Sequence, residues 1–167
     1  MADKIRDKFV KGHFLEILVR EIFMASGYIV SPFGFESTVP SVLHRFYRDG
    51  YDEKLNKTPE ALFLRRLPDF VVQDPDTGLI QFVEVKYRQD GRMSASTVSG
   101  YDKLTIFVLI TPQHIGCVTS QELKSGKSIN KKNKNYIYNR KDIFPRFTKT
   151  RTKKLHDHAM EFVNKIF

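Results

Sequence analysis

The stretch Leu67-Pro68-Asp69-Phe70-Val71-Val72-Gln73-Asp74-Pro75-Asp76-Thr77-Gly78-Leu79-Ile80-Gln81-Phe82-Val83-Glu84-Val85-Lys86-Tyr87-Arg88 reads as a β-hairpin. Both arms are rich in Phe, Val and Ile. The linker holds Pro, Asp and Gly, which pre-set φ, cap locally and leave the backbone open. If Asp74 and Leu79 close a four-residue loop, opposed residue numbers sum to 153, which sets Asp69 across from Glu84, Val71 from Phe82 and Gln73 from Ile80. Opposed residues share a face and side chains alternate along a strand. The register therefore predicts Asp69, Glu84 and Lys86 on one side. A slip of one residue would move Asp69 to the other face, whereas a slip of two would not.

Carboxylate oxygens are hard ligands suited to Mg²⁺ or Mn²⁺, and Mg²⁺ sites use only one or two protein carboxylates, with water and substrate phosphate completing the octahedron. Asp69 and Glu84 meet that requirement. Lys86 beside them is placed to orient or deprotonate a water, or to stabilise charge building on a phosphate. A Glu-x-Lys pair alone is in most chains a solvated strand face. Here the apolar neighbours Ile80, Phe82, Val83 and Val85 argue against full solvation, and buried charges persist mainly when paired or metal-bound.

Pro68-Asp69 followed by Glu84-Val85-Lys86 resembles the signature of the PD-(D/E)xK nuclease superfamily. The resemblance implies an α/β fold, a restriction-endonuclease-like α/β/α sandwich around a mixed sheet. It also implies a metal held by Asp69, Glu84 and the Val85 carbonyl, with Lys86 acting on the attacking water. Cleavage in that superfamily generally leaves a 5′-phosphate and a 3′-hydroxyl.

Asp3 to Ser26 reads as a long helix stopped by Gly27. Ile5, Phe9 and Phe23 lie within about 20° of Glu16 on the helical wheel, and Val10, Phe14, Leu18 and Ile22 cover other directions. Glu16 is either a surface acid paired with Arg20 or an acid set in a largely buried helix. Lys11-Gly12-x-x-x-Glu16 followed by Gly27-Tyr28 is similar to the first helix of the junction-resolving nucleases, and that likeness makes Glu16 a further acid at the site. Tyr28 to Ser31 reads as a short strand, and 35–66 as a less regular insertion. Arg45, Arg48, Arg65 and Arg66 are there either to meet phosphates or as ordinary solvated charge. Leu104 to Ile110 is a nearly continuous apolar run, as expected of a central strand covered on both faces, and Ile115 to Thr119 is another strand.

The 167 residues suffice for one domain with a sizeable core, and 41% apolar with 13% aromatic content marks a folded chain. The single cysteine, Cys117, has no internal disulfide partner and reads as a buried, inert thiol. No apolar run reaches membrane-spanning length and the amino terminus lacks a signal-peptide core, so the expected location is cytoplasmic, with no membrane partner. No histidine pair has zinc spacing, and the serines at 94, 96 and 99 lack a nucleophile elbow.

The formal charge of +9 favours a polyanionic partner, and it is local: Lys124 to Lys154 holds twelve basic residues and one acid, netting +11 against −2 for the remainder. Lys124, Lys127, Lys131, Lys132, Lys134, Arg140, Lys141 and Arg146 are candidate phosphate contacts, interleaved with Asn, Tyr and Phe that either stack on bases or enter the core. Lys153 to Phe167 looks like an amphipathic helix presenting Leu155, Ala159, Phe162, Val163 and Ile166, a face for core packing or for a homodimer.

The expectation is a Mg²⁺-dependent (or Mn²⁺-dependent) endonuclease acting on DNA, with RNA not excluded. Its catalytic residues would be Glu16, Asp69, Glu84 and Lys86. With no room for a large recognition domain, selection by shape, as in Holliday-junction resolution, leads over restriction or transposon-end cleavage. The rival from another class is a non-catalytic nucleic-acid-binding module on the same fold.

Overall fold

The computed structural model describes residues 2–34, 58–64, 66–101, 103–130 and 132–166. The hairpin forms in the expected register. Asp74 N–H donates to the Leu79 carbonyl at 2.9 Å, and Val71 pairs with Phe82 and Gln73 with Ile80. Asp74 does more than close the turn. Its Oδ1 accepts from the Asp76 N–H at 2.9 Å and from Arg146 Nε at 3.0 Å, so the loop is tied to a segment near the C-terminus. The Asp76 N–H, opposed by burial and reinforced by Arg146, holds the Asp74 carboxyl below its ordinary range.

The hairpin arms are β2 (Phe70–Gln73) and β3 (Ile80–Tyr87), within one five-stranded sheet that also holds β1 (Ile29–Pro32), β4 (Thr105–Ile110) and β5 (Ile115–Thr119). The strand order is β1-β2-β3-β4-β5; the β3–β4 pair alone is parallel, so the sheet is mixed. A parallel pair needs a crossover. Here it runs through residues 88–104 and carries a short 3₁₀ turn at Ala95–Val98. Every residue of β4 is buried, as its apolar run predicts for a strand covered on both faces.

The two faces are covered unequally. Val83, Val85, Ile106, Val108, Ile110 and Cys117 join the larger core with α1 (Ala2–Ala25) and the C-terminal helix. On the other face, among the described residues, Phe107, Leu109 and Val118 form a smaller core with Met93, Val98, Leu123 and Ile129, from the crossover, a later loop and short α3 (Ser120–Lys124), with Tyr101 against them. The short helix α2 (Pro59–Leu64) precedes the hairpin, with the Thr58 hydroxyl accepting from Ala61 N–H at 3.2 Å. Helix α1 stops where Gly27 takes φ +90°, and the Gly27 N–H bonds the Met24 carbonyl at 2.9 Å.

The C-terminal helix α4 (Lys149–Ile166) begins earlier than its apolar pattern indicates, and its inward face is rotated. Thr152, His156, Ala159, Met160 and Val163 are buried, whereas Phe162 and Ile166 are exposed. His156 can point inward because its Nε2 accepts the Ile115 N–H at 3.1 Å. That bond puts the neutral ring's proton on Nδ1, which lies 3.0 Å from Asp157 Oδ1. Cys117 is fully buried, and burial pushes its thiol up to about 12. Among the described residues no helix is long and apolar enough to cross a membrane.

Candidate active site

Strand alternation places Glu84 and Lys86 on the face of the smaller core, beside Phe107 and Leu109. Glu84 is 4% exposed. Its Oε1 accepts from the Lys86 ammonium and from the Tyr101 hydroxyl, the latter at 2.9 Å. Its Oε2 is buried and, among the described residues, meets no hydrogen-bond donor. Burial works against the Lys86 charge, but Glu84, with Tyr101 and Asp69 adding, holds the amine above its ordinary value. Lys86 is therefore an ammonium at neutral pH. In that form it donates hydrogen bonds and offsets negative charge.

Asp69 immediately precedes β2, with its backbone pinned: the Phe33 and Gly34 N–H groups donate to its carbonyl at 2.9 and 3.2 Å. Its side chain turns to the edge of β3, where Oδ2 accepts the Val85 N–H at 2.7 Å. Asp69 thus meets β3 at its edge, through the Val85 N–H, and from there its carboxyl feels the Glu84 charge. Burial, then the charges of Glu84 and Glu16, push the Asp69 carboxyl well above its ordinary range, outweighing the Val85 bond and Lys86. Asp69, just before β2, therefore feels acids from both β3 and α1.

Glu16 is half-buried between the fully buried Leu15 and Val19. Its carboxylate lies 3.5 Å from His13 Nδ1, while Arg20 turns to Glu21 at 3.5 Å, so the Glu16–Arg20 pair is replaced by two others. Val85 lends its side chain to the larger core. A strand residue directs its N–H and C=O to the same edge, so the Val85 carbonyl faces the Asp69 side. The hairpin register, continued one step past Asp69, brings Pro68 opposite Val85, and Pro68 has no N–H to offer that carbonyl.

The donor set suits a hard divalent cation. Among the described residues no three His, Cys, Asp or Glu groups enclose a point by themselves. An ion would be held by Asp69, Glu84 and the Val85 carbonyl, with water and substrate in the remaining positions. The feature that fits is Glu84 Oε2, a buried carboxylate oxygen that meets no donor among the described residues and can accept a cation.

Tyr101 belongs to the site and carried no sequence signal. It is one tyrosine in a Ser- and Gly-rich stretch, fixed edge-on to Phe107 at 5.2 Å, with the Lys86 ammonium 5.6 Å from its ring centre. Burial and the Glu84 charge push its phenol up to about 12, so it remains a donor. Arg66 lies against Gly100 beside it, close enough that a Cβ there would be 2.3 Å from the guanidinium carbon. Arg45, Arg48 and Arg65 lie outside the described residues.

The basic segment divides. Arg140 is 8% exposed and binds the Cys117 carbonyl at 2.7 Å, both Glu122 oxygens at 3.0 Å and Asp142 at 2.9 Å. It is an internal tie, and the expected phosphate contact is corrected. Arg146 is likewise engaged by Asp74 and Asp76. Lys127 pairs with Glu122 at 2.5 Å, Lys124 reaches the Tyr101 carbonyl at 3.4 Å, and Lys134 stands 5.8 Å from the Tyr136 ring centre. Lys132 and Lys141 are exposed, and Lys131 lies outside the described residues. Phe144 and Phe147 are fully buried against Phe23, so these aromatics serve the core.

Compared with models of known protein families, with curated proteins and with solved structures, the chain finds no significant match.

Proposed function

We propose that the chain is a metal-dependent nuclease of the PD-(D/E)xK type on a restriction-endonuclease-like fold. It would hydrolyse phosphodiester bonds in DNA, with selection by shape as in Holliday-junction resolution. The observation that carries this reading is the buried Glu84 carboxylate with one oxygen unpartnered, flanked by Asp69 at the strand edge and Lys86 on the same face. Asp69, Glu84 and the Val85 carbonyl would hold Mg²⁺ or Mn²⁺. Bound there, the metal supplies a polarised phosphate and a water of lowered pKa. The Lys86 ammonium offsets charge on the phosphate, Tyr101 fixes the Glu84 carboxylate, and Glu16 orients water at the rim.

A second reading, a binding module without catalysis, draws on the Glu84–Lys86 ion pair, which partly neutralises the site by itself. Mg²⁺-dependent cleavage of linear duplex, single-stranded, flap and four-way-junction DNA and of RNA, run beside Asp69→Ala, separates the two. Symmetric junction cutting lost in the variant supports the resolvase. Binding across the panel with no metal-dependent cleavage supports the module.

A further inference from the structure

The row of charged side chains on β3 continues past Lys86. The Arg88 N–H donates to the Ile110 carbonyl at 3.0 Å and extends the parallel ladder by one residue. Period-two alternation then places Arg88 on the face of Glu84 and Lys86, roughly 6.6 Å beyond Lys86. There it lines a cleft of about 370 Å³ together with Arg92, Ser94 and Thr97, floored by the buried Met93 and Ile129.

The two arginines differ from those of the basic segment. Arg140 and Arg146 are tied to carboxylates, whereas Arg88 and Arg92 have no ion-pair partner among the described residues. The acid on the rim, Asp90, turns its Oδ1 to the Arg92 backbone N–H at 3.1 Å. Two guanidinium groups against one carboxylate leave the cleft with a net positive charge. Guanidinium forks match phosphate oxygens in pairs, and the Ser94 and Thr97 hydroxyls are further donors.

We propose that this cleft holds a phosphate of the substrate strand flanking the scissile one, with Arg88 and Arg92 as its ligands. The position of that phosphate relative to the cut rests on the nuclease reading of Glu84 and Lys86; the binding itself does not. The group recognised is a phosphate, carried either within the strand or at a 5′ end.

The test is binding without divalent metal. Oligonucleotides labelled at the 3′ end, single-stranded and duplex, with a 5′-phosphate or a 5′-hydroxyl, are titrated by fluorescence anisotropy over a salt series. The proteins are wild type, Arg88→Ala/Arg92→Ala and Lys165→Ala, each checked for folding by circular dichroism. The double variant should lose at least tenfold in affinity. Its slope of log K against log salt should shrink by about 0.7–0.9, the value of one phosphate contact. Lys165→Ala, one charge on α4, should change affinity less than twofold. Equal losses on both 5′ forms assign an internal phosphate, and a loss confined to 5′-phosphorylated strands assigns a terminal one. Unchanged affinity and slope in a folded double variant, or no oligonucleotide binding by wild type, overturns the proposal. Loss of binding in the double variant with no cleavage by wild type would refute the nuclease reading and leave the cleft standing. Cleavage dependent on Asp69, with binding indifferent to the arginines, would do the reverse.

Discussion

Replacing Asp69 by Asn removes one negative charge where three carboxylates meet, yet keeps the side chain's shape and its capacity to accept the Val85 N–H. Burial, Glu84 and Glu16 raise the Asp69 pKa above its ordinary value of 3.8 in the folded protein. A group whose pKa is raised on folding contributes stability that is full below its unfolded pKa and is lost as pH rises through its folded one. At pH 8 without metal, Asp69 therefore destabilises the fold, and Asp69→Asn relieves that. Exchanging a charge-assisted bond to Val85 for a neutral one offsets about 1 kcal/mol of the gain. The variant should melt at or above wild type at pH 8 in EDTA, with the difference closing toward pH 4. Metal reverses the order. At a hundredfold excess over Kd, Mg²⁺ should stabilise wild type by about 2.7 kcal/mol, roughly 5–11 °C for a chain of this size, and the variant little. Thermal melts from pH 4 to 8, in EDTA and in a Mg²⁺ series, measure both effects. Equal Mg²⁺ shifts in the two proteins, or a variant less stable than wild type at pH 8 in EDTA, would refute the reasoning.

Arg140→Ala takes the donor from the buried Cys117 carbonyl and one partner each from Glu122 and Asp142, and should cost about 1–3 kcal/mol in urea denaturation, whereas the exposed Lys141→Ala should stay within about 0.5 kcal/mol; an Arg140 variant of native stability would return that residue to the phosphate contacts. Burial first of all holds His114 down to about 4 and His156 below its ordinary 6.5. Both fold neutral, so stability is present above pH 6.5 and falls as pH drops toward 4, His114 alone accounting for a loss on the order of 3 kcal/mol. Urea midpoints from pH 7 to 4.5 in the Asp69→Asn background, which removes the opposing carboxylate, should show the fall, and a flat profile would contradict it. Gly100 has φ +92°, a conformation strained for any residue with a Cβ, so Gly100→Ala should cost about 1–3 kcal/mol by chemical denaturation, while the exposed Arg66 side chain beside it can swing aside.

The parts of the fold legible in the sequence are those fixed by short-range rules. The Asp-Pro-Asp-Thr-Gly turn sets the hairpin register, Gly27 stops α1, and Ile115–Thr119 is a strand at the residues expected. Glu84 and Lys86 share a face because alternation on one strand needs no tertiary information. What failed depended on distant partners. His156 is absent from the apolar face read for the last helix, and it turns inward because the Ile115 N–H, 41 positions away, supplies its bond. Arg140 and Arg146 count as free cations until Glu122, Asp74 and Asp76 fold onto them. Charge composition registers the excess of positive residues and is blind to which of them are neutralised. Tyr101 is the same case at the site itself, since its role exists only through Glu84, 17 positions back.

The Pro68-Asp69 step shows how one local feature serves both the fold and the site. The β2–β3 ladder needs an N–H from each alternate residue of β2, and the register continued from Phe70 opposite Val83 assigns the next donor position to Pro68. Proline cannot donate, so the ladder ends there. With the strand ended, the Asp69 side chain is released to the edge of β3 and takes the Val85 N–H at 2.7 Å. The Val85 carbonyl faces the same edge. Glu84 and Lys86 project immediately beside it, held by strand alternation. Ending the ladder one pair earlier or later would leave the carboxylate opposite a different edge, so the residue that stops pairing also selects which backbone groups and side chains the acid meets.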